Sequence, residues 1–282
     1  MNSWSVSSIR SFHQCSLAWF FKRTGVREEF KPLALAEGAA MHEALAYHLR
    51  GMKDGATPSE DESIEILEGA MLGQELEGEV VYSEKKDRAA ILERMKALFR
   101  HWRSTLKVDG TVAAVEEELR VRLPGTDLPM LGFVDLVVEK DGALEVVDHK
   151  VSASRRQADE LLDYHDIQKV SYTRAIELAM NRPVTSWRWS VLTKTVKPAV
   201  QEDRLEVRSE DRLPELRRLA AVVNPTVRAM EDILAGRAQP VPTQAFAKFC
   251  SGCPYRRACA KWQGNASRPE PVATSPAPVA RG

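Results

Sequence analysis

The chain has 282 residues, of which 44% are hydrophobic and 28% charged, with 40 Lys and Arg set against 40 Asp and Glu. This composition excludes a disordered or fibrous chain, and the zero net charge excludes a protein drawn to polyanions by its overall field; a nucleic-acid partner must be held by local patches. No apolar run reaches the roughly 18–20 residues of a membrane span, so no membrane association is expected. Met1-Asn2-Ser3-Trp4-Ser5 lacks the basic-then-apolar pattern of a signal peptide. A reducing cytoplasm is therefore expected, and the four cysteines read as ligands or core residues before disulfides.

The first predicted element is a helix capped by Ser5, Ser7 or Ser8, carrying Ile9, Phe12, Cys15, Trp19 and Phe20 inward and ending near Thr24-Gly25. A second helix covers Leu33 to Leu49 and stops at Gly51. Residues 60–106 read as two or three helices, one from Ser63 to Leu72 and another from Lys85 to Leu106. Leu119, Val121 and Leu123 alternate with Arg120 and Arg122, the pattern of a strand with one solvent face. Leu131 to Val138 and Ala143 to Lys150 are two more strands, joined by Glu139-Lys140-Asp141-Gly142. Both faces of this hairpin are apolar, which implies a sheet covered on two sides.

A long helix spans about Arg156 to Met180 and is broken by Asn181-Arg182-Pro183. Trp187 to Thr195 and Leu205 to Val207 are further strands, and residues 211–236 a helical stretch interrupted at Asn224-Pro225. From Gly264 to Gly282 the chain is Pro-, Ala-, Ser- and Val-rich with almost no large side chains, a disordered tail. Helices, a mixed sheet, then helices imply an α/β fold: a central mixed β-sheet flanked by helices, with an N-terminal helical region.

The hairpin carries the chemistry. Asp-Gly is a strong two-residue turn signal. With Asp141-Gly142 as the loop, Lys140 faces Ala143, Val138 faces Glu145, and Asp135 faces Asp148. Opposed side chains have Cβ atoms roughly 4.5–5.5 Å apart, where like charges repel. Two carboxylates there need a cation between them, or one must stay protonated. Lys150, two residues beyond Asp148, points to the same face. The pattern suits a divalent ion, Mg²⁺ or Mn²⁺, serving a phosphodiesterase, with Lys150 beside it. The plainer reading is a strand-end ion pair between Asp148 and Lys150, with Asp135 incidental.

His42 lies among Leu35, Leu45, Ala46 and Leu49 on a buried helix face. It is either a satisfied core histidine or a third metal ligand, and an imidazole ligand tilts the preference toward Mn²⁺. Gln168 and Tyr172, four apart on the helix after the hairpin, share one face and can bond a phosphate or a water. Near the C-terminus, Cys250, Cys253 and Cys259 form a C-x₂-C-x₅-C array, and Cys15 is the one cysteine left to complete four. Four thiolates suit Zn²⁺ or an iron–sulfur cluster, and spacing does not separate the two.

Taken together, these motifs resemble the RecB-type nucleases of the PD-(D/E)xK superfamily, in the branch that carries a four-cysteine iron–sulfur cluster: CRISPR-associated adaptation nucleases, the AddB nuclease domain and related exonucleases. The resemblance runs from about Ser5 to Trp262. It rests on Cys15 followed by aromatics, on Gly38 to His42, on Gly132 to Asp135, on Asp148-His149-Lys150, on Gln168 to Tyr172, and on Cys250, Cys253 and Cys259. One departure is Ser16, where many relatives carry proline. The resemblance implies a metal-dependent DNA nuclease of the restriction-endonuclease-like fold. Its Mn²⁺ or Mg²⁺ would be held by His42, Asp135, Asp148 and the backbone carbonyl of His149. Lys150 would be the catalytic lysine, supported by Gln168 and Tyr172, and Glu116 would be an additional acidic group. Cys15, Cys250, Cys253 and Cys259 would bind a [4Fe–4S] cluster.

The implied domain runs over 1–263, with a helical insertion at about 51–108, a cluster segment at 248–262 and the tail at 264–282. Its expected substrate is DNA, single-stranded or at ends, in recombination and repair, phage DNA processing or spacer acquisition. No helicase motif is visible, so a helicase or CRISPR integrase subunit would be a separate chain. Arg155-Arg156, Arg256-Arg257 and Lys261 can track a phosphate backbone, and Tyr255 and Trp262 offer stacking surfaces. Two competing readings are a non-catalytic nucleic-acid-binding module on the same fold and a structural zinc protein.

Overall fold

A computed structural model describes residues 1–82, 87–155, 158–195, 197–243 and 248–262. The chain opens with α1 (Val6–Gln14) and α2 (Ser16–Arg23), followed by α3 (Leu33–Lys53), α4 (Glu60–Glu77) and α5 (Arg88–Thr105). Then come β1 (Thr111–Val121), β2 (Met130–Lys140) and β3 (Ala143–Ser152), α6 (Ala158–Met180), β4 (Val184–Thr193), β5 (Ala199–Glu206) and α7 (Arg212–Leu234). A 3₁₀ turn at Lys248–Gly252 and α8 (Arg256–Lys261) complete it. Arg156 and the 264–282 tail lie outside the described residues.

The strands form one mixed sheet in the order β1-β2-β3-β4-β5. Each neighbouring pair is antiparallel except β3 and β4, which run parallel and are joined across the sheet by α6. Helices cover both faces. On one, Ile9, Leu17, Val170, Ile176, Leu219 and Val223 meet Val146, Trp187 and Val191. On the other, Met41, Leu45, Leu67, Leu98 and Trp102 meet Leu136, Val147 and Leu192. A sheet covered on both sides is what the apolar hairpin required. Among the described residues no helix is long and apolar enough to cross a membrane.

Local chemistry accounts for most boundaries. Ser5 caps α1 by accepting from the Ser8 amide at 3.1 Å. Ser59 and Glu62 form a reciprocal capping box at α4, and Asp87 caps α5. The two-residue turn between β2 and β3 has Asp141 and Gly142 at φ 51° and 79°, the left-handed pair that a type I′ hairpin needs.

Several boundaries differ from the sequence expectation. The opening helix is two helices, because Cys15 is extended between them and its sulfur caps α2 by accepting from the Ala18 amide at 3.4 Å. Gly51 does not end the second helix, which runs on to Lys53. The following loop folds back over Gly51 so closely that a Cβ there would sit 2.2 Å from Pro58. The first strand begins at Thr111 and stops at Val121, short of Leu123. Pro225 does not interrupt α7. The helix tolerates it while Asn224 turns outward to bond the Asp127 amide and the Gly125 carbonyl.

Candidate active site and thiol pocket

The β2–β3 ladder follows the predicted register, pairing Lys140 with Ala143, Val138 with Glu145 and Leu136 with Val147. It ends there, one pair short of the two aspartates. Instead of a strand partner, the His149 amide donates to Asp135 Oδ2 at 2.7 Å. Asp135 thus caps the place where the ladder stops, and β3 continues with β4 alone to Ser152.

The β1–β2 ladder brings Glu116 to the same place. Val115 pairs with Leu136 and Glu117 with Val134, which leaves Glu116 and Asp135 opposite each other. Glu116 has φ 46°, in the left-handed region that a side chain other than glycine's seldom adopts. Such strain persists only where the surroundings impose it, and it concentrates at functional sites. From α3, His42 Nδ1 approaches Glu116 Oε1 at 3.5 Å and Asp135 Oδ1 at 3.7 Å. Donor atoms of His42, Glu116 and Asp135 all lie within 4.8 Å of one another. Neighbouring ligands on an octahedral ion with bonds of about 2.1 Å are roughly 3 Å apart. The three groups therefore fit one divalent ion after inward movement of a few tenths of an ångström.

Asp148 stands beside this trio and outside its 4.8 Å limit. Its Oδ1 accepts from Lys150 Nζ at 2.7 Å and from Gln168 Nε2 at 2.6 Å. Its Oδ2 is buried without a hydrogen-bond partner, a costly state for an oxygen that nothing coordinates. Asp135, Asp148, Gln168 and Tyr172 line one narrow recess. Tyr172 approaches β2: the Phe133 backbone hydrogen-bonds its hydroxyl, and a side chain at Gly132 would come within 2.6 Å of that oxygen. Gly132 thereby admits α6 to the sheet.

The electrostatics of the site suit a cation. Burial pushes Asp148 up to about 6; Lys150 opposes the shift and Asp135 adds to it. Burial also raises Asp135, against the pull of His42 and Lys150. Burial disfavours the His42 imidazolium, but Asp135 and the hydrogen bond to Glu116 outweigh it and hold the ring up at about 9. The two carboxylates thus favour positive charge at this position. Burial, with Asp135 next, raises Tyr172 to about 12. His149 is buried and its acidity shift is far downward, mainly through burial. Both its ring nitrogens are unpartnered.

A network absent from the sequence reading holds this wall in place. Glu37, one turn before His42 and 2% exposed, receives Lys194 from the end of β4 and Arg94 from α5. A carboxylate on the apolar face of α3 was the only signal in the sequence, and its lysine lies 157 residues away.

The four cysteines gather at the N-terminal end of α2. Cys15 Sγ accepts from the amides of Ala18 and Thr243, both at 3.4 Å. Burial raises the Cys253 and Cys259 thiols, and both also feel Cys15 and Cys250. Phe20, Phe21, Tyr255 and Trp262 pack around them with ring centroids 5.7–5.9 Å apart. Among the described residues, no three of these sulfurs lie within 4.8 Å of one another. Tyr255 is buried and its hydroxyl is tied to Glu28, so it does not present the stacking surface expected of it. Arg257 pairs with Glu29.

Comparison with known proteins bears on the family and the fold. A model of the PD-(D/E)XK nuclease superfamily matches residues 3–260. The crystal structure of a "Putative exonuclease" from Eubacterium rectale aligns with a TM-score of 0.56 at 15% identity, over 89% of this chain and 88% of that one, a likeness of fold. The structure of SSO0001 aligns over 86% and 89% at 15% identity, with a TM-score of 0.34. No curated protein sequence matches the chain. With the family model matching most of the chain and the central mixed sheet flanked by helices, the chain belongs to the PD-(D/E)XK nuclease superfamily.

Proposed function

We propose that this chain is a Mn²⁺- or Mg²⁺-dependent DNA nuclease, an exonuclease acting on single strands or DNA ends. The observation that carries the reading is the convergence of His42, Glu116 and Asp135 beside an Asp148 whose outer oxygen is buried and unpartnered. His42, Asp135, Asp148, the His149 carbonyl and Glu116 would hold the ion. When bound, it supplies Lewis-acid polarisation of the scissile phosphate. Lys150, anchored by Asp148, orients the attacking water and steadies the charge that builds on the phosphate oxygens. Gln168 fixes Asp148, and Tyr172 fixes the strand that carries Asp135.

Cys15, Cys250, Cys253 and Cys259 bind a [4Fe–4S] cluster in this reading. The two amides on Cys15 and the aromatic shell support a metal centre on these thiols. Residues 1–263 act as one nuclease domain, with 51–108 as a helical insertion and 248–262 as the cluster segment. The protein works in the cytoplasm, in DNA repair, phage DNA processing or spacer acquisition, alongside a helicase or integrase on another chain.

The test is cleavage of end-labelled single- and double-stranded DNA by anaerobically purified protein with Mn²⁺. Lys150→Ala and Asp148→Ala are each expected to lose about 10²–10³-fold in rate. Cleavage that persists at the wild-type rate in both variants refutes the site. DNA binding without any cleavage supports a non-catalytic module instead. Zinc without iron on elemental analysis replaces the cluster with a structural zinc.

A further inference from the structure

Beyond the metal ligands, β1 and β2 continue as an open face whose side chains follow a simple order. Along β2, Leu131, Phe133 and Asp135 point outward in alternation with the buried Met130, Gly132 and Val134. The β1 register sets Arg120 opposite Leu131, Glu118 opposite Phe133, and Glu116 between the pairs that flank Asp135. Three rows result: two carboxylates at the candidate metal position, a phenyl ring beside a carboxylate, and an arginine beside a leucine. Successive rows are ~6.6 Å apart, two residues of strand rise.

Phe133 is the anomaly on this face. It is 51% exposed, on a strand whose neighbours are buried, and no packing accounts for it. Its backbone is nonetheless pinned to Tyr172 from behind, so the ring is displayed from a rigid position. Beyond the third row, Leu131 opens into a cavity of about 400 Å³ lined also by Ser3, Ser5, Ser7, Lys22 and Arg23. Lys22, Arg23 and Arg120 make no ion pair among the described residues, although most basic residues near the sheet are paired.

We infer that this face is a track for an extended single strand, in which a nucleobase stacks on Phe133 one row away from the candidate metal site. The inference deepens the nuclease reading and rests on it. A phosphate is favoured at the first row, by the ion that the carboxylates would hold, and at the third, by Arg120, Lys22, Arg23 and the serine hydroxyls. It is disfavoured at the middle row, where Glu118 would repel it. That row suits a base, whose flat face meets the phenyl ring and whose amino group can donate to a carboxylate. A base inside a duplex is stacked on its neighbours and cannot reach the ring, so Phe133 selects unpaired DNA.

The experiment measures affinity of the full chain for a fluorescent single strand by anisotropy, with Ca²⁺ as the divalent ion. Phe133→Leu keeps an apolar side chain at an exposed position and removes the aromatic face. It is expected to weaken binding about five- to hundredfold, the range of one lost base–aromatic stack, while Phe133→Trp binds at least as tightly as wild type. A strand with consecutive abasic positions should weaken wild type to a similar extent and leave Phe133→Leu unaffected. The inference is overturned if Phe133→Leu binds within twofold of wild type, or if it still penalises the abasic strand as heavily as wild type does. Loss of cleavage in the nuclease assay with Phe133-dependent binding intact sinks the nuclease reading alone and supports this one.

Discussion

The sheet-edge site and the thiol pocket both gather groups that repel one another, yet they are built in opposite ways. The first is made of regular structure: two strand registers and one helix bring His42, Glu116, Asp135 and Asp148 together. Its burden is electrostatic, set among Lys150, a His42 whose pKa is raised and a strained Glu116, while packed strands and a helix form the scaffold. The second is made of a helix break, a 3₁₀ turn and a six-residue helix drawn from the two ends of the chain. Among the described residues the ends are joined by the aromatic shell, the Arg257–Glu29 ion pair and hydrogen bonds such as that of Leu17 to Val241. Neutralising a carboxylate of the first should relieve the ion-free fold; removing a thiol from the second should loosen it.

The largest expected effect is on the thiol pocket. Cys15 and Cys250 are 235 residues apart in sequence, and the proposed centre, if it joins them, would close a loop worth about 5 kcal/mol by chain entropy. Cys15→Ser should therefore bring a large loss in urea midpoint together with early proteolysis after α7. An unchanged midpoint breaks the comparison, since the pocket would then be held by packing alone.

Next comes the anchor of α3. Glu37→Ala leaves the nearly buried Lys194 ammonium and the half-buried Arg94 guanidinium without this partner, a change that costs about 3 kcal/mol. The urea midpoint should fall accordingly, and divalent-ion affinity with it, because α3 carries His42. Lost stability with undiminished ion affinity would show that His42 is positioned without this network.

The smallest effect has the opposite sign. Asp148 carries a buried carboxylate held up at about 6 against an ordinary 3.8. The folded state thus binds this proton more readily than the unfolded chain. The electrostatic penalty is absent below about pH 4, grows as pH rises toward 6 and is complete above it. In ion-free protein, Asp148→Asn should raise stability by about 0.5–2 kcal/mol at pH 7.5, with the gain gone near pH 4. Destabilisation at pH 7.5 would mean that the Lys150 pair outweighs the burial and repulsion assigned to Asp148.

What could be read from the sequence was local. The Asp141-Gly142 turn depends on two residues' backbone preferences, and strict alternation then carries its register five pairs along the hairpin. The Asp-x-Lys unit, the Gln168–Tyr172 helix face and the thiol count follow from the same short-range rules. Tertiary structure alone decided three things. It stopped the hairpin ladder before the aspartates and gave the His149 amide to Asp135. It broke the first helix at Cys15, because a thiol shared with Thr243 has to leave the helical path. It also raised Glu116 from a marginal candidate to a member of the central trio, through a β1–β2 register that includes a shift between Val112 and Ala114. The reason is range: turn and strand preferences act over a few residues, whereas the pairing of β1, the seat of α3 and the meeting of the chain ends depend on packing between segments that the sequence holds far apart.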